Sequence, residues 1–384
     1  MTEKSQNTSR RDLLKWTGAA GLAGLAGCAG NGDGDGTTTE PSNGGTTSGE
    51  KDTVRAAWLY ISETGDRGWS WALDQGRQAA EEKYDWLETS YSEAVAPSDG
   101  GSVMEEYASE GYDIIFGTTF EYMDPMYNVA EEYPDTIFEH ATGYRTRENM
   151  GRFMGRIYQA RYLAGVAAGM ITETNLLGYV AAFPIAEVIR GLNAFALGAQ
   201  SVNPDVEMQV RWINSWHDPT KNQQAAEALI DEGADVLGQH MDSPAAVRVA
   251  SENDVWSVGY NSPMGEFGGD GYITSPIWNW EAFFAPTVQD VKNGEWESDF
   301  FWGDIGYEFE GTRLFELDDW GPNVPQEAKD EVASVRESLA AGEMTVWDGS
   351  KFEGESDEFL FQNMGSFAEP VQGDVLPRQR QGLA

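Results

Sequence analysis

Cysteine, histidine and basic side chains are the scarce components of this chain: its 384 residues include one Cys, three His and 25 Lys and Arg together. One cysteine excludes an intramolecular disulfide. No histidines are paired at metal-ligand spacing. No Gly-rich phosphate loop follows a strand and there is no nucleophile elbow, so the constellations for metal, phosphoryl or acyl-transfer chemistry are missing. The cation deficit is the largest. Against 64 Asp and Glu it leaves a formal charge of -39, which argues against nucleic acid and anionic membrane surfaces as partners. Such a surface suits high salt, as in a haloarchaeon, where screening removes self-repulsion and hydrated carboxylates keep the protein soluble. In so acidic a chain a pair of carboxylates is weak evidence for acid–base work.

At the amino terminus, Ser9-Arg10-Arg11-Asp12-Leu13-Leu14-Lys15 precedes an apolar stretch from Trp16 to Ala26. The stretch is glycine-rich and shorter than the roughly 20 residues that span a bilayer. That order reads as a twin-arginine export signal. Leu25-Ala26-Gly27-Cys28 then places small residues before the lone cysteine, the arrangement for lipid anchoring at Cys28 rather than for a buried thiol. Residues 29–51 are Gly, Thr, Ser, Asp and Asn with almost nothing to bury, which predicts a flexible tether. Asn31, Asp33, Asp35 and Gly36 resemble the start of a calcium loop, but Ser42 stands where the closing glutamate belongs.

The remaining body has the residues for real cores, the chain being 40% hydrophobic and 12% aromatic. Short apolar strands alternate with helical periodicity. The first set predicts strands at Val54 to Ile61, Leu87 to Tyr91, Tyr112 to Phe116 and Thr136 to His140, with helices at Trp71 to Lys83, Ser102 to Ser109 and Tyr122 to Glu132. A second set predicts strands at Leu177 to Ala181, Glu207 to Ile213, Val236 to Gln239 and Trp256 to Tyr260, with helices at Ala186 to Val202 and Lys221 to Glu232. Between them, Arg161 to Met170 reads as a helix whose Ala164, Gly165, Ala167, Ala168 and Gly169 permit close backbone approach. The fold class is therefore α/β: two doubly wound, Rossmann-like lobes with a hinged cleft lined by strand carboxyl ends.

Aromatic residues stand out at the strand-to-helix junctions: Trp69 and Trp71, Phe120, Phe183, Trp216, Trp278 and Trp280. Flat rings across a cleft suit a flat solute held by stacking, with amides or carboxylates reading its edge. Trp71, Trp280 and Phe120 would serve equally as core or hinge packing, whereas Trp69 and Trp216 favour a place against the solute. His140, His217 and His240 end or follow strands and could sit in the cleft, but suit hydrogen bonding or packing better than the work of a base.

The chain resembles the basic membrane protein family of binding lipoproteins, relatives of the purine nucleoside receptors with a type I periplasmic-binding fold. The resemblance runs from about Val54 to about Val375. It is carried by Gly65-Asp66-Arg67-Gly68-Trp69-Ser70-Trp71, Phe120-Glu121-Tyr122-Met123-Asp124-Pro125, Phe138 to Tyr144, Tyr158 to Gly165, Gly178 to Pro204, Asn214-Ser215-Trp216-His217-Asp218-Pro219 and Gly259-Tyr260-Asn261-Ser262.

It implies a substrate-binding component of an ABC importer, with a permease and an ATPase as partners, no catalysis, no cofactor and no metal. The body is expected to be a monomer, lipid-anchored on the outer face of the membrane. The implied lobes are 52–172 with about 275–305, and 173–274 with about 306–384. By the same resemblance, Trp69 (in the Asp66 to Ser70 stretch) and Trp216 form an aromatic sandwich, and Asp124 accepts hydrogen bonds from a base edge. Phe183, Trp278 and His140 shape the wall, with Phe120, Asp66 and Trp71 nearby. Asn261 replaces an aspartate that holds ribose, and Trp278 takes the place of a lysine after Thr274-Ser275. Both departures point to a purine nucleobase such as adenine as readily as to a nucleoside. The alternatives are another flat aromatic solute, or a sensor that reports occupancy without transport.

Overall fold

The computed structural model describes residues 51–65 and 67–373. The export signal, Cys28, residues 29–50 of the tether and Asp66 lie outside the described residues. Strands β1 (Val54–Leu59), β2 (Leu87–Ser92), β3 (Ile114–Gly117), β4 (Ile137–Ala141) and β5 (Met150–Gly155) open the fold. They are followed by β6 (Leu176–Ala181), β7 (Glu207–Trp212), β8 (Val236–His240), β9 (Trp256–Val258) and β10 (Tyr272–Thr274). Six short strands complete the set: β11 (Pro276–Trp278), β12 (Phe300–Gly303), β13 (Glu308–Phe309), β14 (Thr312–Arg313), β15 (Phe315–Leu317) and β16 (Val371–Gln372).

They form two six-stranded sheets of order β12-β5-β4-β3-β1-β2 and β10-β9-β8-β6-β7-β16, parallel throughout. A parallel sheet covered on both faces requires continuous apolar strands. Ile114-Ile115-Phe116-Gly117 is buried at every position. Trp58 of β1 stacks on Phe116 at 4.5 Å, and Phe284 closes on both edge-on.

The chain passes between the sheets three times. It leaves β5 through the helix Tyr158–Ile171 to reach β6, and returns from β10 through β11 and the helix Glu281–Asn293 to β12. It then runs through the helices Gln326–Ala340 and Asp357–Asn363 to β16. The helix Tyr158–Ile171, one turn longer than its small-residue pattern predicts, packs on Ala186–Val202 with backbone nearly touching backbone. A Cβ on Gly165 would lie 2.0 Å from the Phe195 carbonyl oxygen, and one on Gly198 2.0 Å from that of Tyr162.

The elements that periodicity misses are the 3-10 turn Phe120–Tyr122, β5, the helix Ala245–Glu252 and everything beyond Tyr260. Strands of two to four residues are too short for a period-2 pattern to register, and the helix Glu281–Asn293 carries Pro286 in its interior. The first helix begins at Trp69 rather than Trp71. This matters because it puts the Trp69 ring on the opening turn, where the chain emerges from β1.

Candidate functional site

Ligands of open parallel sheets bind beyond the strand carboxyl ends. There the first lobe places Trp69, Thr118 to Phe120 and His140 to Gly143, and the second places Phe183, Glu187, Trp216, His240, Asp242 and Asn261. Trp69 is half-buried. Its indole N–H donates to the Thr118 carbonyl at 2.6 Å and its backbone N–H to Asp242 Oδ1 at 3.0 Å. Its ring stands perpendicular to Trp278 and Trp280, with centroids 5.9 and 5.6 Å away. Those two indoles stack on one another at 4.5 Å.

Trp216, also half-buried, leans on Phe183 at 5.1 Å and on the His240 ring at 5.9 Å. Its carbonyl accepts the Asp242 backbone N–H at 3.0 Å. Asn261 is buried with a left-handed φ of 67°, a conformation asparagine tolerates better than most residues. Its amide donates to Asp242 Oδ1 at 2.8 Å, and its carbonyl oxygen accepts the Trp278 indole N–H at 3.2 Å.

Three expected contacts are corrected. Asp124 does not point at a ring edge: it is exposed in the first turn of Met123–Glu132 and paired with Arg145 at 2.6 Å. Arg145 is held in turn 3.5 Å over Tyr127. Trp278 is 4% exposed, so it forms no wall; with Trp280 it backs Trp69 and fixes Asn261. His140 is fully buried, its Nε2–H donating to the Thr119 carbonyl at 2.9 Å. The other rings are peripheral. Phe120 is 38% exposed beside Tyr144, and Trp71 is half-buried under the Arg67 guanidinium at 5.6 Å.

The second lobe supplies further polar groups, of which the sequence singled out only His240. Arg161 is buried, with its guanidinium 3.5 Å over Tyr260, and donates to the Tyr179 hydroxyl and to the Gln239 carbonyl. His240 packs on the other ring neighbours, 4.6 Å from Tyr260, with Glu187 Oε1 3.9 Å from its Nε2. Burial pushes the Glu187 carboxyl up, against the pull of Arg190 and Arg161. Burial, helped by both arginines, holds His240 well below its ordinary range. Asp242 and His240 follow the same rule that marked Trp216, polar or flat groups just beyond a strand. In a chain with 64 acids, however, one more carboxylate carries no signal.

Burial also lowers His140 to about 4 from 6.5. Its neutral form is the one the fold accepts. Below pH 6.5 the unfolded chain therefore binds a proton that the folded chain refuses, and stability falls as pH drops towards 4. A shift of this size is worth about 3 kcal/mol. His140→Gln keeps a donor for the Thr119 carbonyl and is expected to flatten this part of the profile, measured by denaturant unfolding at pH 6.5 and 4.5. An unchanged slope would remove His140 from the account.

Among the described residues no group of three or more His, Cys, Asp or Glu is placed to hold a metal ion, and no helix is long and apolar enough to cross a membrane. Comparison with known proteins adds that residues 7–27 match the twin-arginine translocation signal, which indicates export from the cytoplasm. TsgA13 of Haloferax volcanii, provisionally named an ABC transporter glucose-binding protein, is 58% identical over 98% of this chain and its own full length. A purine-binding protein of Brucella abortus is 36% identical over 80% of this chain and 87% of its own. The crystal structure of an ABC transporter solute-binding protein from Aeropyrum pernix K1 shares the fold. Its TM-score is 0.67 at 16% identity, over 80% of this chain and 95% of that one. Residues 53–306 match the family model described as ABC transporter substrate-binding protein, PnrA-like. With two parallel-sheet lobes whose strand ends meet at Trp69 and Asp242, the chain belongs to the PnrA-like substrate-binding proteins of ABC transporters, which capture solutes and do not catalyse reactions.

Proposed function

We propose that the solute is a flat nitrogen heterocycle of the purine class, a nucleobase such as adenine in preference to its nucleoside. One observation carries this reading. Two tryptophans with half-buried rings, Trp69 and Trp216, stand at strand ends of opposite lobes and are bonded through their backbones to the same residue, Asp242. Rings so placed can close on the two faces of a thin planar solute, and each base–aromatic stack is worth about 1–3 kcal/mol. Preference for the base follows from Asn261. Its amide is already engaged by Asp242 and Trp278, which leaves one hydrogen and one lone pair for a ribose diol. The purine-binding relative from Brucella abortus supports the same class.

A hexose is the second reading. The carboxylate and amide of Asp242 and Asn261 beside an indole also suit hydroxyls and a pyranose face, and TsgA13 bears a glucose name. In either case the loaded protein delivers to a membrane permease driven by an ATPase, and lipidated Cys28 would hold a monomeric body at the outer membrane face. A sensor role would use the same closure, and a neighbouring sensor kinase gene in place of a permease would favour it.

Calorimetric titration in molar KCl with adenine, guanine, adenosine, guanosine and glucose separates these readings. The expected result is heat with adenine, weaker binding of adenosine, and a 5- to 150-fold loss of adenine affinity in Trp216→Ala, the range that a stacking contribution of this size implies. Glucose binding by a folded protein that ignores every purine would replace the purine reading with the hexose one.

A further inference from the structure

We infer that Asp242 is a positioning residue that couples the two lobes: it sets the separation of Trp69 and Trp216 and holds the crevice closed over its solute. Asp242 lies just past β8 in the second lobe and is 6% exposed. Its backbone is fixed to its own lobe, the N–H donating to the Trp216 carbonyl at 3.0 Å and the carbonyl accepting His217 Nδ1–H at 2.5 Å. Its carboxylate reaches the other lobe, where Oδ1 accepts the Trp69 backbone N–H at 3.0 Å, and the same oxygen takes the Asn261 amide at 2.8 Å. Asn261 then binds Trp278, whose ring meets Trp69. A circuit Trp69–Asp242–Asn261–Trp278–Trp69 thus joins both lobes and the crossing segment that carries Trp278.

The approach is tight enough to require glycine opposite. A Cβ on Gly68 would lie 2.3 Å from the Asp242 Cβ and 2.6 Å from its Cα, distances that no side-chain rotation relieves. Two rim contacts flank the bridge. Ser262 Oγ donates to the Arg67 carbonyl at 2.5 Å, and Arg67 pairs with Glu266 at 3.1 Å. The ion pair is largely solvent-exposed and so adds little. Asp242 is the strong member, because it is buried and one of its oxygens accepts both the Trp69 backbone N–H and the Asn261 amide. One residue therefore ties its backbone to the main chain of Trp216 and its side chain to the main chain of Trp69. The part of this inference that concerns the indoles as a clamp rests on the purine reading; the coupling of the lobes does not.

The test is single-molecule energy transfer between dyes on Glu105→Cys and Gln224→Cys, exposed helix positions in the first and second lobes, in the full chain carrying Cys28→Ser, with and without saturating adenine. Asp242→Ala is expected to shift the population to the wider separation and to release adenine at least about tenfold faster. Asp242→Asn, which keeps an oxygen for the Trp69 N–H, is expected to restore most of the narrow population. Gly68→Ala, acting from the other lobe, is expected to open the crevice as Asp242→Ala does. If both Asp242→Ala and Gly68→Ala show the wild-type distribution in every condition, the coupling is wrong. If the wild type ignores adenine but Asp242→Ala still opens it, the purine reading falls and the coupling stands.

Discussion

Dilution from molar KCl to about 0.1 M is expected to lower the melting temperature by more than about 20 °C and to leave the body unfolded near room temperature. The chain carries a formal charge of -39, and the Debye length grows over that dilution from about 3 to about 10 Å. Two carboxylates about 8 Å apart repel by roughly 0.5 kcal/mol in water when unscreened. With so many excess charges on one body, the pairs within a Debye length multiply, against a total stability of only about 5–15 kcal/mol. Attractive pairs act with the opposite sign. Arg147–Glu131, Arg211–Glu232 and Arg145–Asp124 all strengthen as salt is removed, but exposed pairs are worth about 1 kcal/mol at most, and 25 cations cannot balance 64 acids. Differential scanning calorimetry over a KCl series reads the effect directly. A melting temperature that is flat in salt would mean that self-repulsion does not limit this fold.

The second large effect concerns a sign. Replacing a helical glycine by alanine ordinarily stabilises a helix by about 1 kcal/mol. At Gly165 and Gly198 the added methyl would fall 2.0 Å from a backbone carbonyl oxygen of the facing helix, so the two helices must separate or the side chains around them must give. Overpacking of this kind costs about 1–3 kcal/mol per site, occasionally more, and here the obstacle is backbone. Gly165→Ala and Gly198→Ala are therefore each expected to destabilise by more than about 2 kcal/mol, and Gly198→Val to prevent folding. Gly101→Ala is the control, since a Cβ there meets only Pro125 at 3.5 Å; it is expected to be neutral or slightly stabilising. Denaturant unfolding of the three alanine variants would refute the packing argument if Gly198→Ala gained stability as Gly101→Ala does.

The same helix pair shows why the architecture was legible in the sequence. Long elements with a clear period, such as Ala186–Val202, declare themselves, and a run of Ala and Gly in Arg161 to Met170 announces that something packs against it closely. The aromatic positions were legible for a related reason, because large flat rings gathered at strand-to-helix junctions stand apart from the periodic pattern of the elements they join. Their roles were not. Whether an indole faces the crevice or backs another ring depends on segments far apart in sequence. Only the fold reveals that Trp278 and Trp280 stack behind Trp69, or that Asp124 turns outward to Arg145. Asp242 was hidden by composition, and β12 and β16 by brevity.

Those two short strands bear on when the protein can fold. β12 forms an edge of the first sheet beside β5, and β16 an edge of the second beside β7. About 145 residues separate Gly155 from Phe300, so at typical rates of synthesis the exposed margin of β5 waits roughly 7 to 30 s on the ribosome for its neighbour. A bare strand margin is a site for wrong pairing, and the second lobe waits longer still, until the last described residues emerge. The first sheet is complete only once β12 has emerged, and the second only once β16 has. Completion of each sheet of this solute receptor thus waits on a distant segment, and a chain interrupted between β7 and Val371 leaves the ribosome with the margin of β7 unpaired.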